Sequence, residues 1–270
     1  MTLQRASLIA LVVLLCLTAN AGASLTKSIM AAEPVAYWQL GQPAECRVFD
    51  LASYDCATGA PVKTTGNGTK QVGGMSAADA LYASISGNAG DLAITGDLTI
   101  ALWAKPASLA SEQVLLTYAG AGNKPQDNIL YELALAPGGE VAYRHHDKGH
   151  SVYSHTFKGA ALAANEWQFL VLVRDTGLQQ VKLYVNDGWA DAGAFKHNPF
   201  NGKKSSLHIG ADPWGKRTFN GSLDQIAIFN YAFSNDQVAS LALAAVGGEV
   251  PEPCTLILLA LGAIIHLRIR

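Results

Sequence analysis

The residues with the most chemical potential lie in the run Arg144-His145-His146-Asp147-Lys148-Gly149-His150, with His155 close behind. If Lys148-Gly149 forms a two-residue hairpin turn, Asp147 faces His150 and His145 lies two residues back on the same face. Two imidazoles and a carboxylate gathered this way are a candidate site for zinc or another transition metal. The competing reading is a solvated hairpin tip, because a slip of one residue in register scatters the set. Trp189 and Trp214 form a second group. Both stand beside glycine, in Asp187-Gly-Trp-Ala and Asp212-Pro-Trp-Gly-Lys, outside any alternating run. A loop tryptophan can stack on the apolar face of a sugar ring while nearby Asn, Asp or Lys groups bond its hydroxyls, so both are candidate ligand-binding residues. Their other reading is as covers folded over a sheet edge.

The elements that must position these groups read as short strands. In Leu98-Thr-Ile-Ala-Leu-Trp-Ala104, residues 98, 100, 102 and 104 share one face, and Lys105-Pro106 ends the run. Further strands are predicted over 113–118, 130–135, 141–146, 151–157, 167–174, 181–185, 206–209 and 222–229. Turn residues such as Pro137-Gly138-Gly139 and Asn186-Asp187-Gly188 fill the gaps. Many short strands at such spacing predict an all-β sandwich of two antiparallel sheets. Trp103 and Trp167 fall in strand patterns and are expected in the core, and Trp38 is expected to pack the first strand. Residues 63–74, rich in Gly and Thr, read as a surface loop. Ser234 can cap a short helix reaching about Leu243, with Asp236 suited to its positive end.

An ordered series of segments carries a family resemblance: Val35-Ala-Tyr-Trp-Gln-Leu40, Leu98 to Pro106, Asn165-Glu-Trp-Gln-Phe-Leu-Val-Leu-Val173, Val181-Lys-Leu-Tyr-Val-Asn-Asp-Gly188, Leu207-His-Ile-Gly210 and Phe219 to Ser234. Together they resemble the laminin-G-like, concanavalin A-like jelly-roll family, over roughly residues 35–243. The resemblance implies a ligand-binding jelly roll. It also makes calcium the candidate cofactor, with Asp224 of Gly-Ser-Leu-Asp as the candidate ligand, or else a bond from Asp224 to neighbouring amides that locks the last strand. Some glucanases share this fold and carry Glu-x-Asp-x-x-Glu on one strand. None of Glu45, Glu112, Glu132, Glu140 or Glu166 is followed two residues later by Asp. The expectation is therefore a protein that is not an enzyme.

The two ends read as addresses. Arg5, the apolar run from Leu8 to Leu17 and Ala21-Gly22-Ala23 have the three parts of a secretory signal over residues 1–23. At the other end, Pro251-Glu252-Pro253 precedes an apolar run from Cys254 to Ile265 and the terminal Arg268 and Arg270. As a helix, that run reaches only about 18 Å, short of a ~30 Å hydrocarbon core. It resembles the PEP-CTERM sorting signal of Gram-negative bacteria, which implies a terminal hydrophobic sorting helix over 247–270 and an exosortase-type enzyme as partner. It further implies transient membrane insertion of the tail and an exported protein of the cell envelope, surface or extracellular matrix. A plain membrane tail is the alternative. Between the two signals, residues 24–246 fit one domain. Cys46 and Cys56 are its cysteines, and in an oxidising compartment they are expected to pair as a disulfide, or else to stay as two buried thiols. With 19 basic against 21 acidic residues and a net charge of −2, the chain has no basic stripe, so nucleic acid is not an expected partner. The expected function is binding of extracellular polysaccharide or a surface protein. The alternatives are a structural or adhesive matrix component and an atypical glycoside hydrolase.

Overall fold

The structure is a computed structural model that describes residues 24–38, 62–64, 68–71, 83–85, 92–120, 129–149, 151–200, 205–214 and 216–246. The candidate signal peptide, Cys46, Cys56, His150 and the tail with Pro251, Glu252 and Pro253 lie outside these residues.

Among the described residues, strands form two antiparallel sheets, as the alternation predicts. One has the order β1 (Ala36–Trp38), β14 (Gly221–Phe229), β5 (Leu98–Pro106), β10 (Gln168–Asp175), β11 (Gln180–Val185) and β12 (Gly188–Ala194). The other runs β2 (Val62–Thr64), β3 (Gly68–Gln71), β4 (Ala83–Ile85), β13 (Ser205–Ile209), β6 (Gln113–Gly120), β7 (Ile129–Leu135), β8 (Glu140–His146) and β9 (Val152–Ala161). The predicted strands appear within a few residues of their expected bounds. The structure departs from the sequence reading in three places. The predicted loop over 63–74 overlaps β2 and holds β3, Trp189 lies in β12 rather than in a loop, and a helix α1 (Ser24–Ala31) precedes β1.

Period-2 alternation builds the core between the sheets. Leu98, Ile100, Leu102 and Ala104 of β5 join Tyr131, Leu133 and Leu135 of β7 there. The opposite face of β5 is also covered. Ala101 and Trp103 pack in a second apolar layer with Phe169, Val171 and Phe229, beneath Leu25 and Ile29 of α1 and beneath Val238, Leu241 and Ala245 of the second helix, α2 (Asn235–Val246). Trp103 is therefore buried as expected, but under the helices and not between the sheets. Trp167 is half-buried against the same layer. The start of α2 is a reciprocal cap: Ser234 Oγ accepts from Gln237 N at 3.3 Å and Gln237 Oε1 accepts from Ser234 N at 2.9 Å.

One charged residue ties the two sheets through the core. Arg174 of β10 is fully buried and donates to the carbonyls of Ile94, Gly96 and Leu130 and to the Tyr143 hydroxyl. These acceptors spread over its guanidinium replace the water lost on burial.

Candidate functional site

Strand β7 sends Tyr131, Leu133 and Leu135 inward, so its period of two sends Glu132 to the outer face of the eight-stranded sheet. Register extends that position into a row across five strands: His208 opposite Thr117, Thr117 opposite Glu132, Glu132 opposite Arg144 and Arg144 opposite Ser154. The segment after β13 then folds back over this row. Backbone bonds from Gly210 N to the Leu115 carbonyl and from Val114 N to the Arg217 carbonyl, both 2.9 Å, fasten it to β6.

That return places Arg217 over Glu132 in a bidentate pair, Nη1 to Oε1 and Nη2 to Oε2, each 2.8 Å. Arg217 Nη1 also reaches Glu112 Oε1 at 2.8 Å, and its Nε reaches Asp212 Oδ2 at 3.2 Å. Arg144 Nη1 donates to Glu112 and to Glu132 Oε1. Glu132 is fully buried, whereas the Arg144 and Arg217 side chains are about a quarter exposed and Glu112 about a third. A carboxylate can be buried at such a position because three charge-assisted bonds from two guanidinium groups replace its hydration. Burial pushes the Glu112 carboxyl up, but hydrogen bonds and charge from Arg144 and Arg217 outweigh it and hold the pKa below the ordinary range. For Arg217, burial works against the cation and the bond to Glu132 works for it. The balance lies above the ordinary value. At the end of the row, His208 is buried with Nε2 2.7 Å from Ser206 Oγ, and loss of hydration lowers its pKa to about 4 even though Asp212 opposes the shift.

Asp212 links this cluster to Trp214. Its Oδ1 accepts from Trp214 N at 3.2 Å and Lys216 N at 2.8 Å, which sets the turn that carries the half-buried tryptophan at the rim of the charged row. Trp189 lies elsewhere. It is 56% exposed, pairs with Tyr184 in the β11–β12 register and contacts that ring edge-on at 5.1 Å. Tyr184 belongs to the layer under the helices. The two tryptophans therefore occupy opposite outer sides of the sandwich.

The hairpin between β8 and β9 has a different register from the two-residue turn expected. His146 pairs with Val152, and Asp147 N donates to the Ser151 carbonyl, so Asp147 stands opposite Ser151 and three residues span the turn. Asp147 Oδ1 accepts from Ser151 N at 2.9 Å. His145 faces inward, stacked on Tyr153 at 5.0 Å with Nε2 2.9 Å from the His197 carbonyl. His150, the third residue of the proposed metal set, is not among the described residues. Asp224 sits where β14 shifts register against β5, and its Oδ1 accepts from Gln225 N at 2.7 Å, steadying a residue with φ of 46°. Among the described residues, no group of three His, Cys, Asp or Glu side chains is placed to hold a metal ion.

Glu112, Glu132, Arg144, Asp212 and Arg217 did not stand out together in the sequence. A single signal pointed at them, a glutamate at the centre of the apolar strand Ile-Leu-Tyr-Glu-Leu-Ala-Leu, where burial demands a cationic partner.

Two antiparallel sheets packed face to face in this strand order make a jelly-roll-like β-sandwich. The family model described as the concanavalin A-like lectin/glucanases superfamily matches residues 79–239, and the chain belongs to that superfamily. Among solved structures, the CBM40 module of Ruminococcus gnavus IT-sialidase bound to α2,6-sialyllactose matches at 18% identity and a TM-score of 0.50, covering 57% of this chain and 87% of that one. The receptor-binding domain of a botulinum neurotoxin mosaic serotype C/D matches at 14% identity and a TM-score of 0.52, over 77% of this chain and 50% of that one. A leech intramolecular trans-sialidase matches at 17% and 0.51, over 63% and 27%. At these identities the likeness concerns the fold. No curated protein sequence matches the chain.

Proposed function

We propose that this chain is an exported, non-catalytic carbohydrate-binding module, sorted to the envelope, surface or extracellular matrix of a Gram-negative bacterium by an exosortase-type system acting at Pro251-Glu252-Pro253. The observation that carries the ligand half of this reading is the charged row on the outer face of the eight-stranded sheet, with Trp214 at its rim. Arg144 and Ser154 offer donors and Glu112 offers acceptors at the surface, and sugar hydroxyls both donate and accept. Two guanidinium groups against the carboxylates of Glu112, Glu132 and Asp212 leave one net negative charge, so a neutral glycan suits the row better than an acidic one. The CBM40 module bound to sialyllactose, a protein of the same fold, supports carbohydrate as the ligand class, while the preference for a neutral glycan rests on the charge of the row alone.

The same geometry argues against hydrolysis. Glu112 and Glu132 share the Nη1 atoms of both arginines and so form a close carboxylate pair. A glycosidase needs one such group protonated near neutral pH as its general acid, which takes a raised pKa. Arg144 and Arg217 hold Glu112 in the opposite direction.

The test is binding of the purified chain to a panel of neutral polysaccharides and sialyllactose, with calcium and with chelator, alongside Arg144→Ala and Trp214→Ala. We expect a neutral glycan to bind, both variants to weaken it by about tenfold or more, and no reducing ends to be released. Trp214→Ala should change the melting temperature little, whereas Arg144→Ala should lower it, because the buried Glu132 loses one of its bonds. Loss of binding in chelator would bring in a cation, with Asp224 and the His145, Asp147 and His150 group as the positions to substitute next. Absence of binding across the panel would replace this reading with a structural or adhesive one.

A further inference from the structure

On the side of the sandwich away from the charged row, the β11–β12 hairpin and the start of α2 enclose a cavity of about 320 Å³ lined by Tyr184, Asn186, Asp187, Trp189, Asn235 and Val238, among others. From this cavity we infer a second, independent site for a neutral saccharide, which makes the chain bivalent. The inference takes its ligand class from the carbohydrate reading above and rests on different residues.

The volume lies at the lower end of the ~300–1,000 Å³ usual for small-ligand sites, enough for about one sugar ring with a few waters. Its wall and floor differ in chemistry. Trp189 stands 56% exposed at one side, while Tyr184 and Val238 are buried and give an apolar base. Around them stand two amides and a carboxylate. The Tyr184 hydroxyl donates to Asn235 Oδ1 at 2.8 Å, which leaves the Asn235 amide nitrogen as a donor. Asn186 Oδ1 accepts from Phe169 N at 3.0 Å, so its amide nitrogen is a donor as well. Asp187 is exposed and supplies an acceptor. A purely apolar guest would strip water from these three groups without replacing it, and an anion would meet Asp187. A neutral pyranose satisfies both halves, since its C–H face meets the indole and its hydroxyls meet the amides and carboxylate.

The site is built before a ligand arrives. Asn186 holds φ of 56° and exchanges two bonds with Phe169, its own N donating to the Phe169 carbonyl at 2.7 Å and its Oδ1 accepting in return. That lock, with the Tyr184–Asn235 bond, fixes the hairpin against α2, so little order remains to be gained on binding. Two sites on opposite sides of one sandwich cannot serve the same sugar ring. They can hold two glycan chains, and avidity for a polysaccharide follows from that placement.

The chain contains five tryptophans, so incorporation of 5-fluorotryptophan gives five ¹⁹F signals, assigned with Trp→Phe variants. The full chain is titrated with cellotetraose, mannotetraose and a galactotetraose. We expect the Trp189 signal to move with at least one of them, to do so equally in Arg144→Ala, and to lose about tenfold in apparent affinity in Asp187→Ala, while the Trp214 signal keeps its wild-type response in that variant. We also expect a branched polysaccharide of the binding sugar to precipitate the wild-type chain and not Trp189→Ala. A silent Trp189 signal across the three sugars overturns the second site and, with a responsive Trp214, leaves the first one standing. A Trp189 response that vanishes in Arg144→Ala also overturns it, because the two sites would then be one. A responsive Trp189 with a silent Trp214 sinks the first site and keeps the second.

Discussion

His145 and His208 show how burial at single positions sets the response of the whole chain to acid. Burial lowers the His145 pKa to about 4, with Arg174 and His146 adding to the shift and the His197 carbonyl and Asp147 opposing it. Burial also takes His208 to about 4 against the pull of Asp212. Both rings are therefore neutral in the folded chain over a range where an unfolded histidine, with its pKa near 6.5, takes up a proton. Below pH 6.5 the unfolded state binds more protons than the folded one, so stability falls as pH falls, until the folded rings themselves titrate near 4. The expected loss is about 2 kcal/mol for each ring between pH 7 and pH 5. Urea unfolding at pH 7, 6 and 5 reads it directly. His208→Gln should remove its own share of the slope, and a flat profile over that window would mean that the rings are not held neutral by burial.

At the scale of elements, the sandwich closes at one edge where β12 of one sheet presses on β9 of the other. Gly193 makes that approach possible, because a Cβ there would run into the His155 ring and the Tyr153 hydroxyl. Gly193→Ala is expected to cost about 1–3 kcal/mol through forced displacement of those side chains. It should lower the urea midpoint at constant m-value, whereas an unchanged midpoint would show that β9 gives way freely. Such a contact between distant strands also explains which elements the sequence revealed. Leu98 to Ala104 was legible as a strand by alternation and Phe169 to Val173 as an unbroken apolar run, buried on both faces, and the cap at Ser234 marked α2. Strand β12, Gly-Trp-Ala-Asp-Ala-Gly-Ala, has no β-branched residue and takes its conformation from pairing with β11. Helix α1 offers little more than Leu25 and Ile29 as an apolar face, and it forms because the outer face of the six-stranded sheet is there to cover. The charged row was illegible for a related reason. Glu112, Glu132, Arg144 and Arg217 come from separate segments as far as 105 positions apart, and only sheet register and the return of the chain after β13 bring them together.

Considered whole, the molecule has three layers, the two sheets and a helical layer, and its described N- and C-terminal segments meet in the third. Strand β1 pairs with β14, helix α1 touches α2, and the Tyr231 hydroxyl donates to the Ala32 carbonyl. Thr99 of β5 joins the same knot: its hydroxyl donates to the Tyr231 carbonyl at 2.8 Å and accepts from Phe233 N at 3.0 Å. Trp103, Phe169 and Phe229 lie under this layer, so without it a broad aromatic surface would face water. The helices should therefore unfold together with the sheets and not before them. Ile29, fully buried in α1, is the residue to weaken. Ile29→Ala is expected to destabilise the chain by about 2–4 kcal/mol. Far-UV circular dichroism, which follows the backbone, and tryptophan fluorescence, which follows Trp103 among others, should still give coincident transitions. An earlier loss of helical signal, with the fluorescence transition left at its wild-type midpoint, would mean that α1 and α2 form a separable layer and that the six-stranded sheet holds its outer face without them.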